Sequence, residues 1–274
     1  MQVRWRGRRP LPVVATGAIL ARMNEPKPLF AMSPARLAQV RVILTDIDGT
    51  MTRAGRIPPE VVAMAPKLLK LGVEVLPVTG RSAGEALGLA RYLPGVRRAI
   101  AENGGALVVP DQPIEALRPM VERDSAHKAA HELGHADPWT LAPCSFARLT
   151  DQAWERGHRS DEQLAQLRER ATEMGWSLTW SSVHIHLTVA PPDKGAAALT
   201  LLEREGIDPQ HAAAIGDSTN DEGLWVKDRF GLAVGTADVQ RVWPLLRHHP
   251  EFMVAPAADG WLQLCEAIAL ARKD

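Results

Sequence analysis

The 274-residue chain has only two cysteines, Cys144 and Cys265, so no disulfide framework can staple it. They also lack the spacing of metal ligands. This scarcity points to a reducing, cytoplasmic compartment. Net charge is missing as well: 32 Lys+Arg stand against 32 Asp+Glu. That excludes a nucleic-acid partner held by a basic surface. No apolar run approaches the roughly 20 residues of a membrane helix, which excludes a membrane-spanning class. What is present is a 46% hydrophobic chain, enough for a core. Its length allows one large domain or two modest ones. Oligomeric state leaves no trace in the pattern.

Arg4, Arg6, Arg8 and Arg9 precede an apolar run from Leu11 to Leu20. This imitates a secretory signal, but Pro12 and Gly17 interrupt it and no cleavage site follows. Residues 1–38 are therefore expected to lie outside the fold, as a disordered extension or one translated from an upstream start. Met23 or Met32 would then be the true beginning.

From Val40 the pattern becomes regular. Val40–Thr45 reads as a strand buried on both faces. Pro58-Pro59-Glu60 opens a helix to Leu71, in which Pro66 should cost a hydrogen bond. Strand 73–78, helix 83–92 and a short strand near 98–101 follow. This alternation predicts βαβ units and a parallel sheet. The middle differs. A hairpin strand at 106–109 leads to a helix at 119–133, a strand around 146–154, a helix at 161–174 and strands at 176–180 and 183–189. The βαβ rhythm then returns. A helix at 194–205 and a strand at 212–215 are followed by a helix beginning near Asn220, a strand near 231–234 and a last helix at 260–271. The predicted fold is α/β: a doubly wound parallel-sheet core, 39–111 and 190–274, with an inserted α+β cap, 112–189.

The chemistry sits where core strands end, the place where open α/β sheets bind ligands. The first strand ends in Asp46-Ile47-Asp48-Gly49-Thr50. One carboxylate there can attack phosphorus while the other moves protons. A solvated turn explains the pentapeptide equally well. The second strand ends in Val78-Thr79-Gly80-Arg81, a hydroxyl and backbone N–H groups suited to phosphate oxygens, or simply a helix N-cap. Lys194 opens a helix, where the dipole favours an anion over a cation. It is either a ligand to an anion or an ordinary solvated lysine. Gly216-Asp217-Ser218-Thr219-Asn220-Asp221 ends another strand. Its carboxylates suit magnesium, or form a turn before a capped helix.

In chain order, these motifs together resemble the haloacid dehalogenase-like superfamily of phosphohydrolases, all four of whose motifs are present. The resemblance covers 40–109 and 192–274. The insertion occupies the position of the larger α/β cap, and Ala101-Glu102-Asn103-Gly104-Gly105 looks like the matching stretch of the subgroup carrying it. That subgroup includes Cof-type sugar-phosphate phosphatases, sucrose-phosphate phosphatase, mannosyl-3-phosphoglycerate phosphatase and archaeal-type phosphoglycolate phosphatase. The resemblance implies a small-molecule phosphomonoester substrate and Mg²⁺ as cofactor. Asp46 would form an aspartyl-phosphate. Asp48 would protonate the leaving alcohol and then activate water. Thr79, Gly80 and Lys194 would hold the phosphoryl group, and Asn220 would orient phosphate or Lys194. The ion would take an Asp46 oxygen, the Asp48 carbonyl and Asp217, with Asp221 as ligand or close neighbour. Asp48 argues against a dehalogenase, which needs no acid/base there. A phosphotransferase or phosphomutase could use the same core. A non-enzymatic receiver-like domain would not need Asp48, Lys194 and the late acidic pair together.

A rival motif lies in the insertion. His131-Glu132-Leu133-Gly134-His135 matches the H-E-x-x-H zinc site of metallopeptidases. Gly134 weakens the helix and Pro138 ends it; the extended pattern fails at Pro138 and Leu141, and Glu155, 20 residues after His135, would have to serve as the downstream carboxylate. The motif reads as the exposed end of a cap helix. Nearby, Ser182, His184, His186 and Thr188 alternate with Val183, Ile185, Leu187 and Val189, giving a strand with one polar and one apolar face. If that face looks toward the core, His184, His186 and Arg148, with Asp151, would meet the substrate's alcohol portion. If not, the face looks at water.

Overall fold

The computed structural model describes residues 25–181 and 183–273. In chain order, β1 (Lys27–Pro28) and α1 (Pro34–Gln39) precede β2 (Val42–Thr45), α2 (Pro59–Lys70), β3 (Glu74–Pro77) and α3 (Ala83–Tyr92). Next come β4 (Ala99–Ala101), β5 (Ala106–Val108) and β6 (Glu115–Ala116). The cap comprises α4 (Arg123–Leu133), β7 (Gln152–Glu155), α5 (Asp161–Glu173), β8 (Ser177–Trp180) and β9 (His184–Thr188). The chain returns through α6 (Lys194–Arg204), β10 (Ala212–Gly216), β11 (Leu232–Thr236), β12 (Phe252–Val254) and α7 (Ala257–Ala271).

The core sheet is parallel, ordered β1-β12-β11-β10-β2-β3. A bridge from Val78 to Ile100 carries it on toward β4. Every residue of β2, β3 and β10 is buried, because helices cover both faces. One face sets Ile43, Val75 and Ile215 against Val61 and Leu68 of α2 and Trp261 and Leu264 of α7. The other sets Leu44, Leu76 and Ala214 against Leu201 and Leu202 of α6 and Trp225. This is the doubly wound arrangement that the strand–helix alternation predicts. The β2, β3 and β10 carboxyl ends lie side by side, since these strands are neighbours in register.

The cap is a separate antiparallel sheet, β7-β9-β8, backed by α4 and α5. Ile185 and Leu187 of β9 pack into the cap core with Trp154, Leu164 and Leu178.

Several expectations need correction. Residues 27–38 are part of the fold. β1 pairs with β12, and Leu37 of α1 and Met32 are buried in the main core. Residues 1–24, and with them the arginine-led apolar run and Met23, lie outside the described residues. The cap does not begin at 112, because β6 pairs with β5 beside the core. The expected strand at 146–154 exists only at 152–155. The helix expected near Asn220 is a 3-10 segment, Thr219–Trp225. β12 escaped the periodicity because it is three residues long between Pro250 and Pro256. Among the described residues, no helix is long and apolar enough to cross a membrane.

Candidate active site

Asp46 is the first residue past β2 and is all but buried. Gly49, at φ +81°, turns the chain back over the strand ends. A Cβ on Gly49 would lie 2.5 Å from Asp217 Oδ2, so only glycine lets the turn close over that carboxylate. Thr50 Oγ1 donates to Asp217 Oδ1 at 3.2 Å, tying the first motif to the last.

Lys194, the first residue of α6, is fully buried. Its Nζ donates to Asp46 Oδ1 at 2.6 Å and to Asp221 Oδ1 at 2.7 Å. The other Asp221 oxygen accepts from the Asp217 and Ser218 N–H groups at 2.9 and 3.1 Å. Asp221 thus caps its own turn while pairing with the lysine.

Asp46, Asp217 and Asp221 bring one oxygen each within 4.8 Å of one another. Three buried carboxylates face one ammonium. Burial pushes the Asp46 carboxyl up to about 7 against the pull of Lys194. Burial, then Asp46 and Asp221, push Asp217 well above the carboxylate range. Burial works against the Lys194 charge, yet Asp221 and Asp46 hold it above its ordinary value. Asp217 Oδ2 is buried without a hydrogen-bond partner. Crowded, desolvated oxygens with an orphan among them fit a hard divalent cation.

Thr79 is buried at the end of β3, and its hydroxyl accepts the Arg81 N–H at 3.1 Å. α3 begins just beyond, capped reciprocally by Ser82 and Glu85. Arg81 was given no role by the sequence reading. Its guanidinium grips both oxygens of Asp48 at 2.6 Å and also reaches Glu85 at 2.8 Å. Asp48 therefore stands apart from the Lys194 cluster. It faces a cleft of about 480 Å³ lined by Ile47, Thr52, Ile57, Arg81 and Glu85. The position of Arg81, directly after Thr79-Gly80, was the available signal. Asn220 makes no hydrogen bond to Lys194, whose partners are Asp46 and Asp221. Its Nδ2 donates to Asn103 Oδ1 at 3.0 Å, while Asn220 Oδ1 and Asn103 Nδ2 are buried and unpartnered.

The cap residues come together at the core. His184, His186 and Thr188 are buried, so the polar face of β9 does not look at water. His186 Nδ1 lies 2.9 Å from Asp151 Oδ2, and Asp151 Oδ1 accepts from Arg148 at 2.8 Å. Arg148 Nη2 then donates to the Gly80 carbonyl at 3.0 Å, joining the cap to the loop after β3. Burial alone would raise the Asp151 carboxyl, but Arg148 and His186 outweigh it and it falls to about 2. Burial pushes His184 down to about 4 and lowers His186 too, so both imidazoles are neutral at pH 7. Ser182 lies outside the described residues.

Among the described residues the rival motif does not gather three metal ligands. α4 ends at Leu133, and His135 lies beyond its Gly134 C-cap. His131, Glu132 and His135 are exposed. Glu155 sits 3.8 Å from His184 instead.

The sequence model of the haloacid dehalogenase-like hydrolases matches residues 153–241. A phosphoglycolate phosphatase of Methanothermobacter thermautotrophicus is 31% identical, over 81% of this chain and 94% of its own. A phosphoglycolate phosphatase of Pyrobaculum neutrophilum is 30% identical over 72% and 83%. Among solved structures, a Thermoplasma acidophilum protein superposes with a TM-score of 0.68 at 19% identity, covering 84% of this chain and 99% of that one. A haloacid dehalogenase-like hydrolase from B. subtilis superposes at 0.62 and 15% identity, covering 85% and 99%. At these identities the superpositions speak for the fold.

Proposed function

Since the chain belongs to the haloacid dehalogenase-like hydrolases and is a phosphatase, we propose that it hydrolyses a small phosphomonoester through an aspartyl-phosphate on Asp46, with Mg²⁺ as cofactor. The relatives named phosphoglycolate phosphatase make 2-phosphoglycolate the first substrate to try. The observation that carries the reading is Asp46 paired with buried Lys194 at 2.6 Å, beside Asp217 and Asp221.

In this reading an Asp46 oxygen attacks phosphorus in line as the bond to the alcohol oxygen breaks. Asp48 gives its proton to that oxygen. Asp48 then takes a proton from water, which attacks phosphorus and frees Asp46 and phosphate. Arg81 must release Asp48 for either transfer, since it occupies both carboxylate oxygens. Lys194, the Thr79 hydroxyl and the Gly80 backbone hold the transferring oxygens, and Asn220 faces the same loop through Asn103. Asp46, Asp217 and the Asp48 carbonyl would hold Mg²⁺, with Asp221 adjacent. A bound Mg²⁺ supplies neutralisation of phosphoryl charge, the main demand of this chemistry. Arg148, His184 and His186 would read the leaving group from the cap.

Phosphate release from a panel of phosphomonoesters, with and without Mg²⁺, tests the reading. Mg²⁺-dependent release, highest with a small polar ester, is expected. No release from any ester in the presence of Mg²⁺ would overturn it.

A further inference from the structure

The proposed site is enclosed. Asp217, Asp221 and Lys194 are buried, and the cap reaches the loop beside them through the Arg148 guanidinium on the Gly80 carbonyl at 3.0 Å. The contacts that hold cap and core together therefore bear on turnover. Three donors of the cap segment and one of the core converge on one side chain, Glu102.

Glu102 and Asn103 follow β4 in the left-handed region, at φ +53° and +55°. Their N–H groups donate to the Arg81 and Thr79 carbonyls at 3.0 and 2.9 Å, which pins this turn beneath the phosphate loop. The Glu102 side chain is wholly buried and accepts from both sides of the seam. On the core side, the Ala83 N–H that opens α3 donates at 3.0 Å. On the cap side, the Leu149 N–H donates at 3.1 Å, the Thr150 N–H at 2.6 Å and the Thr150 hydroxyl at 2.8 Å. Glycine makes the approach possible. A Cβ on Gly105 would overlap Thr150 Oγ1, and one on Gly84 would fall 2.8 Å from Ala147 Cβ. Next to the gripped residues stands Arg148, with its guanidinium on the Gly80 carbonyl at 3.0 Å.

We infer that Glu102 is a positioning residue: it latches cap segment 147–151 onto the phosphate loop and so sets Arg148 against Gly80. A carboxylate suits this task because it only accepts hydrogen bonds, and all its partners here are donors. One buried carboxylate thereby ties the start of α3 to the cap segment that carries Arg148. The inference rests on the phosphatase reading for its kinetic consequence, but not for the latch itself.

The test is a double-mutant cycle between Glu102→Gln and Arg148→Met, read in kcat/KM for 2-phosphoglycolate. The amide of Gln points a donor at other donors, so Glu102→Gln should lower kcat/KM about tenfold. Arg148→Met should lower it at least as much. The double variant should be no worse than the weaker single variant within about threefold, because both remove one arrangement. Multiplying losses, or no loss in Glu102→Gln, would overturn the inference. Hydrogen exchange at the Leu149 and Thr150 amides should be about tenfold faster in Glu102→Gln, and unchanged exchange overturns the latch. If Glu102→Gln fails to fold, Thr150→Val removes one latch bond at nearly constant volume and enters the same cycle, with the same non-additivity expected. A wild-type protein inactive on every phosphomonoester would sink the proposed function alone; the latch then stands or falls on the exchange rates.

Discussion

The core and the cap each bury one cation, and they do it differently. Lys194 is held between Asp46 and Asp221, carboxylates from two different strand ends, 148 and 27 residues away. Arg148 is held by Asp151, three residues away, and extends its other nitrogen to a backbone carbonyl. Desolvating a cation is expensive in either place and leaves little net stability from the pair itself. In the core three carboxyl groups crowd one ammonium, and burial raises Asp46 and Asp217, a crowding that a divalent cation would relieve. In the cap Arg148 and Asp151 balance, and neutral imidazoles surround them. The first arrangement suits making and breaking a phosphoester bond. The second suits shape and hydrogen-bond matching, where no charge needs to change.

Breaking the core arrangement should have the largest effect. Asp46→Asn should leave less than about a hundredth of wild-type turnover while the protein stays folded, since each 1.4 kcal/mol of lost barrier reduction is about tenfold. Circular dichroism and a phosphate-release assay check both halves. Asp217→Asn removes the carboxylate oxygen that lacks a partner, so the Mg²⁺ concentration for half-maximal rate should rise about tenfold or more. Titrating Mg²⁺ into the variant reads this directly.

The cap arrangement should break more selectively. Arg148→Ala or His186→Ala should lower kcat/KM for the preferred ester about tenfold, while p-nitrophenyl phosphate hydrolysis changes much less. Equal losses on both substrates would place these residues in the common chemistry. His184 sharpens the comparison through pH. Burial depresses its folded value from 6.5 to about 4, so the unfolded chain binds its proton first as pH falls. Its share of stability is full above pH 6.5 and is lost between 6.5 and 4, with about 1 kcal/mol gone by pH 5.5. Urea midpoints at pH 7 and 5.5 should therefore fall less in His184→Gln than in the wild type. The smallest effect is expected at the exposed end of α4: replacing His131 and His135 together by Ala should leave phosphate release within about twofold. Stoichiometric zinc and peptidase activity, both lost in that variant, would restore the H-E-x-x-H reading.

Much of the core was legible because its signals are local. Apolar runs such as Val42–Leu44 mark strands buried on both faces, the Asp and Thr motifs follow where those strands end, and Lys194 opens the helix after the insertion. Arg81 was less visible because an arginine at a helix start has an ordinary surface reading; only the fold shows it facing Asp48. Residues 148–151 misled the periodicity for a different reason. Leu149 and Thr150 lie between Phe146 and Trp154 and suggest one continuous strand, but their N–H groups are satisfied by a carboxylate 47 and 48 residues upstream. No local pattern can report a hydrogen-bond partner that distant. β1 was hidden similarly: a Lys-Pro pair has no strand signal and becomes a strand because β12 offers it an edge.

The amino-acid sequence by itself determined the alternation of strands and helices and the four motifs, since each depends on residue type and spacing along a few turns of chain. The tertiary structure decided which carboxylate pairs with Lys194, that Arg81 holds Asp48, and that the polar face of β9 is buried against Arg148, Thr150 and Asp151 rather than turned to water. Those outcomes depend on which buried donors and acceptors meet across long loops, and burial makes every unmet one costly.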